Sequence, residues 1–247
     1  MKITDRKFVV NRGVIGIILF VIGVVLGIIL IGISVYADFE STLFDLTNGA
    51  NRSINSIKCP VFLSSNETGY LSAVIKNSED LPQDLVIQAR ISKGHLILLQ
   101  EFQENISIAS HETKQMNWEV DAPDAGYGHF ILAKVIVMDN ALHPFQRGSC
   151  GIIVLDLPFG MKGWQLFWTV FVLSLSGIMS GIIFWWKYGR SNSNRSLETT
   201  RSLFGLGGLA LVGLVSITLG LWQLAAGAFY IGLLLMGVII PHFLINK

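Results

Sequence analysis

The chain has 247 residues, 51% of them hydrophobic, and a formal net charge of only +1. That balance, with no basic and aromatic patch and no phosphate-cradling glycine loop, excludes a nucleic-acid or nucleotide-phosphate site. It also conceals a division: the charges lie between or outside four long apolar stretches, as in an integral membrane protein.

Residues 1–13 carry Lys2, Arg6, Lys7 and Arg12 against Asp5 alone, which reads as a cytoplasmic N-terminus. The first span is predicted over 14–36, where Val14–Val35 is apolar throughout apart from glycines and Ser34. A span needs about 20 such residues, and a cleaved signal core has only about 7–15. A retained signal anchor is therefore expected, although Val35-Tyr36-Ala37 has the small-x-small form of a cleavage site. Residues 37–56 form a juxtamembrane segment in which Phe39, Leu43 and Leu46 fall at helical spacing. Such a helix would rest on the neighbouring domain or on the bilayer surface.

Residues 57–156 read as strands. Leu71, Ala73 and Ile75 alternate, as do Leu85, Ile87, Ala89 and Ile91, and then Met116, Trp118 and Val120. His129–Met138 is apolar on both faces and reads as a central strand, and Ser149–Leu155 as another. Turns at 77–82 and 121–126 complete an antiparallel sandwich of seven or eight short strands, with no helical pattern to suggest a parallel α/β fold. The segment 38–162 holds nine Lys/Arg against fifteen Asp/Glu, so it is acidic by six charges. Cys59 and Cys150 bracket the domain, and on an oxidising side of the membrane they are expected to form a structural disulfide. A metal site would need more ligands than two thiols, and a redox pair would normally lie closer in sequence.

The stretch Gly69–Asn77 resembles the second strand of bacterial immunoglobulin-like adhesion-type modules, in which a strand ending in Asn opens a loop. Pro123-Asp-Ala-Gly126 followed by Tyr127–Met138 is similar to the Pro-x-x-Gly turn that opens a long strand in those modules. The tyrosine-corner spacing of antibody-like domains is absent, because Tyr127 directly follows Gly126. The resemblance covers 57–156 and implies a binding or spacer unit, with no catalytic residue to carry over.

A connector, 157–163, leads to the second span at 164–186. Trp164 and Trp168 mark its outer interface, and Trp185, Trp186 and Tyr188 its inner one. The loop 187–202, with Lys187, Arg190, Arg195 and Arg201 against Glu198, reads as cytoplasmic. The remaining apolar stretch is too long for one span and is predicted to turn near Gly220–Gln223, giving helices at 203–221 and 224–245. Both termini are then cytoplasmic and 37–163 is extracytoplasmic, on a multi-pass plasma-membrane protein. Gly23/Gly27, Gly177/Gly181, Ser216/Gly220 and Ala228/Gly232 each place small residues one turn apart, a pattern that lets helices pack closely. Packing within one chain is expected, with a second subunit on Gly23/Gly27 as the alternative.

The spans carry no ionisable residue apart from His242, which gives a proton-coupled transporter, pump or haem subunit little to work with. His95, His111, His129 and His143 show no metal-ligand spacing, and Ser149-Cys150-Gly151 lacks a placed base. Glu101, Glu104 and Glu112 fit solvated positions better than catalytic ones. The sequons at Asn51, Asn66 and Asn105 are matched by one at Asn194 on the expected inner side and decide nothing. No enzyme, cofactor or metal is expected. The expected function is protein interaction or assembly of a membrane complex through the sandwich, with lipid and a protein partner or second copy as partners. Loops 64–69, 77–84 and 121–128 are candidate contact surfaces. A glycan- or ligand-binding module using Trp118, Tyr70 and Tyr127 is the alternative, and a transporter or channel accessory subunit a third.

Overall fold

A computed structural model of the chain describes residues 3–44, 52–54, 56–94, 98–139, 143–189 and 194–245. Lys2, Leu46, Asn51, His95 and Arg190 lie outside the described residues, as do the side chains of His143 and His242. The chain divides into two compact units. One combines Met1–Val35 with Trp168–Lys247, and the other is Tyr36–Phe167.

The first unit is helical. It contains most of α1 (Ile3–Leu43) and α2 (Gly163–Phe184), together with α3 (Asn194–Thr218) and α4 (Trp222–Ile245). Among the described residues two helices are long and apolar enough to cross a membrane, at Val14–Leu43 and Gly163–Tyr188. Leu203–Thr218 and Trp222–Gly237 are shorter apolar helices, so length and composition mark two spans where four were expected. Part of the expected loop 187–202 is helical, because α3 begins at Asn194.

Small residues join α1 to α2. A side chain on Gly23 would come within 2.5 Å of the Ile178 amide nitrogen, and one on Gly181 within 2.5 Å of Phe20 Cβ. Gly177 lies against the Gly23 backbone and Gly27 against Ser174, whose hydroxyl donates to the Gly23 carbonyl at 2.8 Å. The Gly23/Gly27 face is thus occupied by this chain's own second helix. The other two pairs divide. Ser216 is buried and donates back to Val212 O, but Gly220 has a φ of +71° and ends α3. Its N–H donates to Ile217 O and that of Leu221 to Ser216 O, the left-handed cap for which glycine is suited. Gly220 is therefore a turn residue, within the turn expected near Gly220–Gln223, rather than a helix-packing one. Ala228 is buried near Gly213, which the small-residue spacing did not single out, while a side chain on Gly232 would meet open space.

The aromatic residues of α2 also divide. Trp164, Trp168 and Trp186 are about half exposed. Trp185 instead packs against the buried cluster of Phe20, Val24 and Ile178, at a π-helical turn over Trp185–Gly189. In that turn the Lys187 ammonium lies 5.5 Å from the Tyr188 ring centre.

Among its described residues the second unit holds nine strands: β1 (Arg52–Ser53), β2 (Ser56–Lys58), β3 (Phe62–Ser64), β4 (Gly69–Lys76), β5 (Gln83–Lys93), β6 (Leu98–Ile108), β7 (Thr113–Val120), β8 (Phe130–Asp139) and β9 (His143–Leu155). A six-stranded sheet runs β1-β9-β8-β5-β6, with β3 also on β9, and a three-stranded sheet runs β2-β4-β7. The sheets enclose one core. Leu71, Ala73, Ile75, Trp118 and Val120 of the small sheet meet Leu85, Ile87, Ala89, Ile91 and the inward residues of β8 and β9. Two-residue periodicity places those side chains on one face of each strand.

The arrangement is not purely antiparallel as expected, since β1 and β3 both run parallel to β9. Parallel neighbours need a long connection, and the rest of the unit supplies it. Cys59 and Cys150 form a disulfide beside β3, with their Cα atoms 6.4 Å apart. Because it closes a separation of 91 residues, its loss restores much freedom to the unfolded chain. The Cys59→Ser/Cys150→Ser double variant is expected to lose up to about 4–5 kcal/mol of stability. Denaturant unfolding of the purified chain, with and without reductant, measures that loss.

Candidate functional site

The two places where the β unit receives the ends of α1 and α2 are the candidate site. They bring together buried polar groups that a plain sandwich would not need. All the residues involved belong to the unit Tyr36–Phe167.

The first junction arises from a central strand with two apolar faces. On β8, Ile131, Ala133, Val135 and Val137 face the sandwich core, yet Leu132, Lys134 and Ile136 on the opposite face are also buried. The last turns of α1 lie on that outer face. Tyr36 stacks edge-on against Phe130 with ring centres 5.6 Å apart, and Ala37 and Ser41 are fully buried. Gly151 of β9 meets the Ala37 carbonyl so closely that no side chain fits between them. Lys134 Nζ donates to the Phe44 carbonyl at 2.6 Å, where α1 leaves a carbonyl without a helical partner.

The edge of β9 explains the neighbouring carboxylate. β1 pairs with Gln146 and Arg147, and β3 with Ile153–Leu155, so residues 148–152 face a gap in the pairing. Alternate N–H groups of a strand point the same way; Ile153 donates to Val61 O, and Gly151 therefore points into the gap. Asp38 Oδ1 accepts that Gly151 N–H at 3.1 Å, replacing the missing strand with a side chain from α1.

The second junction has a similar design. Glu67, in the turn after β3, accepts from Ser64 N–H at 3.2 Å and from Gly163 N–H at 2.7 Å. Gly163 is the first residue of α2, so the carboxylate satisfies an open helix donor and favours the positive end of the helix dipole. Gly163 meets the Phe62 carbonyl, again where no side chain fits.

The expected contact loops are internally braced. In 64–69 the brace is Glu67. In 77–84 the buried Asn77 amide donates to Leu81, Ile108 and Ala109 carbonyls, while its oxygen accepts from Glu79 N–H. In 121–128 the Ser92 hydroxyl donates to Asp124 O and accepts from Leu132 N–H. Burial pushes the Asp124 carboxyl above the usual carboxylate range; the Asp121 N–H it accepts opposes that shift, and the Asp121 charge adds to it.

Of the proposed stacking residues, Tyr70 and Tyr127 are exposed, but Trp118 is 5% exposed and belongs to the core, its indole N–H without an acceptor. His111 lies 3.0 Å from Asp80 on the surface, and His129 is exposed. No group of three or more His, Cys, Asp or Glu side chains that could hold a metal occurs among the described residues. Glu101 and Glu104 lie on β6, with Glu101 3.4 Å from Arg90. Periodicity missed the junction residues Asp38, Glu67, Gly151 and Gly163. Lys134 did leave a trace, as the one charge inside the apolar run from Phe130 to Met138.

No protein-family model matches the chain, and no curated protein matches it. Among solved structures it is similar to the CARDB domain of the PF1109 protein of Pyrococcus furiosus, solved in complex with di-metal ions. They are 14% identical with a TM-score of 0.32 over 41% of this chain and 90% of that one. It is also similar to the alkylpurine DNA glycosylase AlkC of Pseudomonas fluorescens, at 18% identity and a TM-score of 0.34, over 47% of this chain and 33% of that one. A β-glucuronidase of Bacteroides uniformis matches at 14% identity and a TM-score of 0.30, over 38% of this chain and 12% of that one. The chain thus spans a third or less of the two enzymes.

Two measurements probe these features. Gly151→Ala must push α1 off β9 and is expected to destabilise the chain by about 1–3 kcal/mol. Gly205→Ala, inside α3 and facing open space, serves as the control in thermal melts in detergent and is expected to be stabilising by up to about 1 kcal/mol. Because the folded state raises the Asp124 carboxyl, its stabilising contribution is fully present below the unfolded value and is lost as pH rises through the folded one. Melting temperature should therefore carry a component that falls with rising pH over that window, and Asp124→Asn should remove it.

Proposed function

We propose that the chain is a non-enzymatic, multi-pass plasma-membrane protein whose immunoglobulin-like extracytoplasmic unit holds a protein partner or a membrane assembly together. The observation that carries this reading is the far side of the α1 terminus. With Ala37 and Ser41 buried, Phe39 and Leu43 point away and are about half exposed, one helical turn apart. An apolar helix face outside the 14–36 span suits a docking surface better than a solvated linker. It is the face that helical spacing marked out, and the sheet uses the opposite one.

The four-span topology rests on the basic residues flanking the 14–36 and 164–186 spans and on the α3–α4 hairpin, whose cap at Gly220 reverses the chain. Both termini are then cytoplasmic and 37–163 extracytoplasmic. Lipid is the surrounding partner. Exposed Tyr70 and Tyr127 favour glycan or small-ligand binding as the second reading. Trp118 no longer contributes to it.

The reading is tested by placing a photocrosslinking amino acid at Phe39 or Leu43 of the full chain in native membranes, with Tyr70 and Leu81 as comparison positions. A single adduct of defined mass from Phe39 and Leu43, absent from Leu81, supports assembly. Lipid adducts alone from both helix positions would sink it, and protection of Tyr70 by added glycan would favour the second reading.

A further inference from the structure

Between the β unit and α2 the chain makes a turn over Pro158–Gly160 that holds the most exposed large apolar side chain described. Phe159 is 101% exposed, and Pro158 and Gly160 beside it are exposed as well. Its φ is +60° and its ψ 20°, a left-handed conformation that a bulky residue adopts only at a cost. Neither burial nor hydrogen bonding of the Phe159 ring repays that strain. A soluble turn at this position would put Gly or Asn where Phe stands.

The position of the turn supplies a reason. The apolar helix from Gly163 to Tyr188 has 26 residues, about 39 Å at 1.5 Å each, against a hydrocarbon core of about 30 Å. Centred on that core, each helix end extends about 4–5 Å into the headgroup layer. Gly163 cannot drift from the β unit, because Glu67 holds its N–H at 2.7 Å. Phe159 and Trp164 are five positions apart, so the two lie within about 18 Å of each other. Trp164 is 55% exposed, and Lys162 between them is exposed too. Two aromatic rings flanking an ammonium, at the mouth of an apolar helix, match the layered chemistry of a membrane interface, with rings at the acyl boundary and cation among phosphates.

We propose that Phe159 is a lipid-inserting wedge, held by the strained turn at the headgroup–acyl boundary and acting with Lys162 and Trp164 to fix the height of the β unit over the bilayer. The inference rests on the membrane reading above, and the test separates the two. Cys59 and Cys150 are joined, so a new cysteine is the single free thiol of the chain. Phe159→Cys, Val172→Cys on α2 and Leu81→Cys in the β4–β5 connection are each spin-labelled in the full chain. The chains are reconstituted in phosphatidylcholine–phosphatidylglycerol vesicles, and collision with oxygen is compared with collision with a water-soluble nickel chelate. An oxygen-to-nickel ratio at 159 between those at 172 and 81 is expected. A ratio at 159 equal to that at 81, with 172 oxygen-rich, overturns the wedge and leaves the membrane reading standing. A nickel-accessible label at 172 overturns both.

Discussion

The second unit depends on one constraint: β8 is apolar on both faces, and only one of them can face the sandwich core. Ile131, Ala133, Val135 and Val137 fill the interior, which leaves Leu132 and Ile136 to be removed from water on the other side. At roughly 25 cal/mol per Å² of apolar surface, two such side chains and their surroundings represent several kcal/mol. The end of α1 lies on that face, so the arrangement has three layers rather than the two of a free-standing sandwich. Parallel pairing of β1 and β3 with β9, the gap between them and the Asp38 carboxylate that fills it all accompany this closure.

Polar chemistry follows from the same packing. A lysine enters an apolar layer only with acceptors for its ammonium, and Lys134 finds one in the open carbonyl at the end of α1. A helix crossing a strand at backbone distance tolerates no side chain at the crossing, hence Gly151. At the other junction Glu67 and Gly163 meet the same two needs, a carboxylate for an open N–H and a glycine for close approach. The junctions are held by complementary hydrogen bonds and sterics rather than by apolar area alone.

Much of this was legible where one face of a strand is wet. The alternations at 71–75, 85–91 and 116–120 mark core residues because the opposite residues meet solvent, and the spacing between them then locates the turns. β6 was not legible in the same way: on this edge strand Leu98, Leu99 and two glutamates are exposed, so its pattern is broken at one end. Parallel pairing was hidden because β1 and β3 are too short to show a period, and their partner lies some ninety residues away. Gly23 and Gly177, both on small-residue spacing, lie against each other's helix backbones. At Gly220 that spacing mistook a residue chosen for its φ for one chosen for its size. The roles of Asp38 at Gly151 and of Glu67 at Gly163 left no local mark, since each backbone group lies far away in the chain.

The buried outer face of β8 also moves the boundary of the domain. Alternation alone begins it at residue 57, at the first strands, and sets 37–56 apart as a juxtamembrane segment. The structure begins it at Tyr36, because Ala37 and Ser41 are as deeply buried as any residue of the sandwich core. A soluble fragment cut at 57 would bare the covered face and leave Lys134 without the Phe44 carbonyl. It would present an unfinished apolar surface, prone to self-association through the face that α1 otherwise covers. The last two turns of a helix long and apolar enough to cross a membrane are, in folding terms, the outermost layer of the domain that follows it.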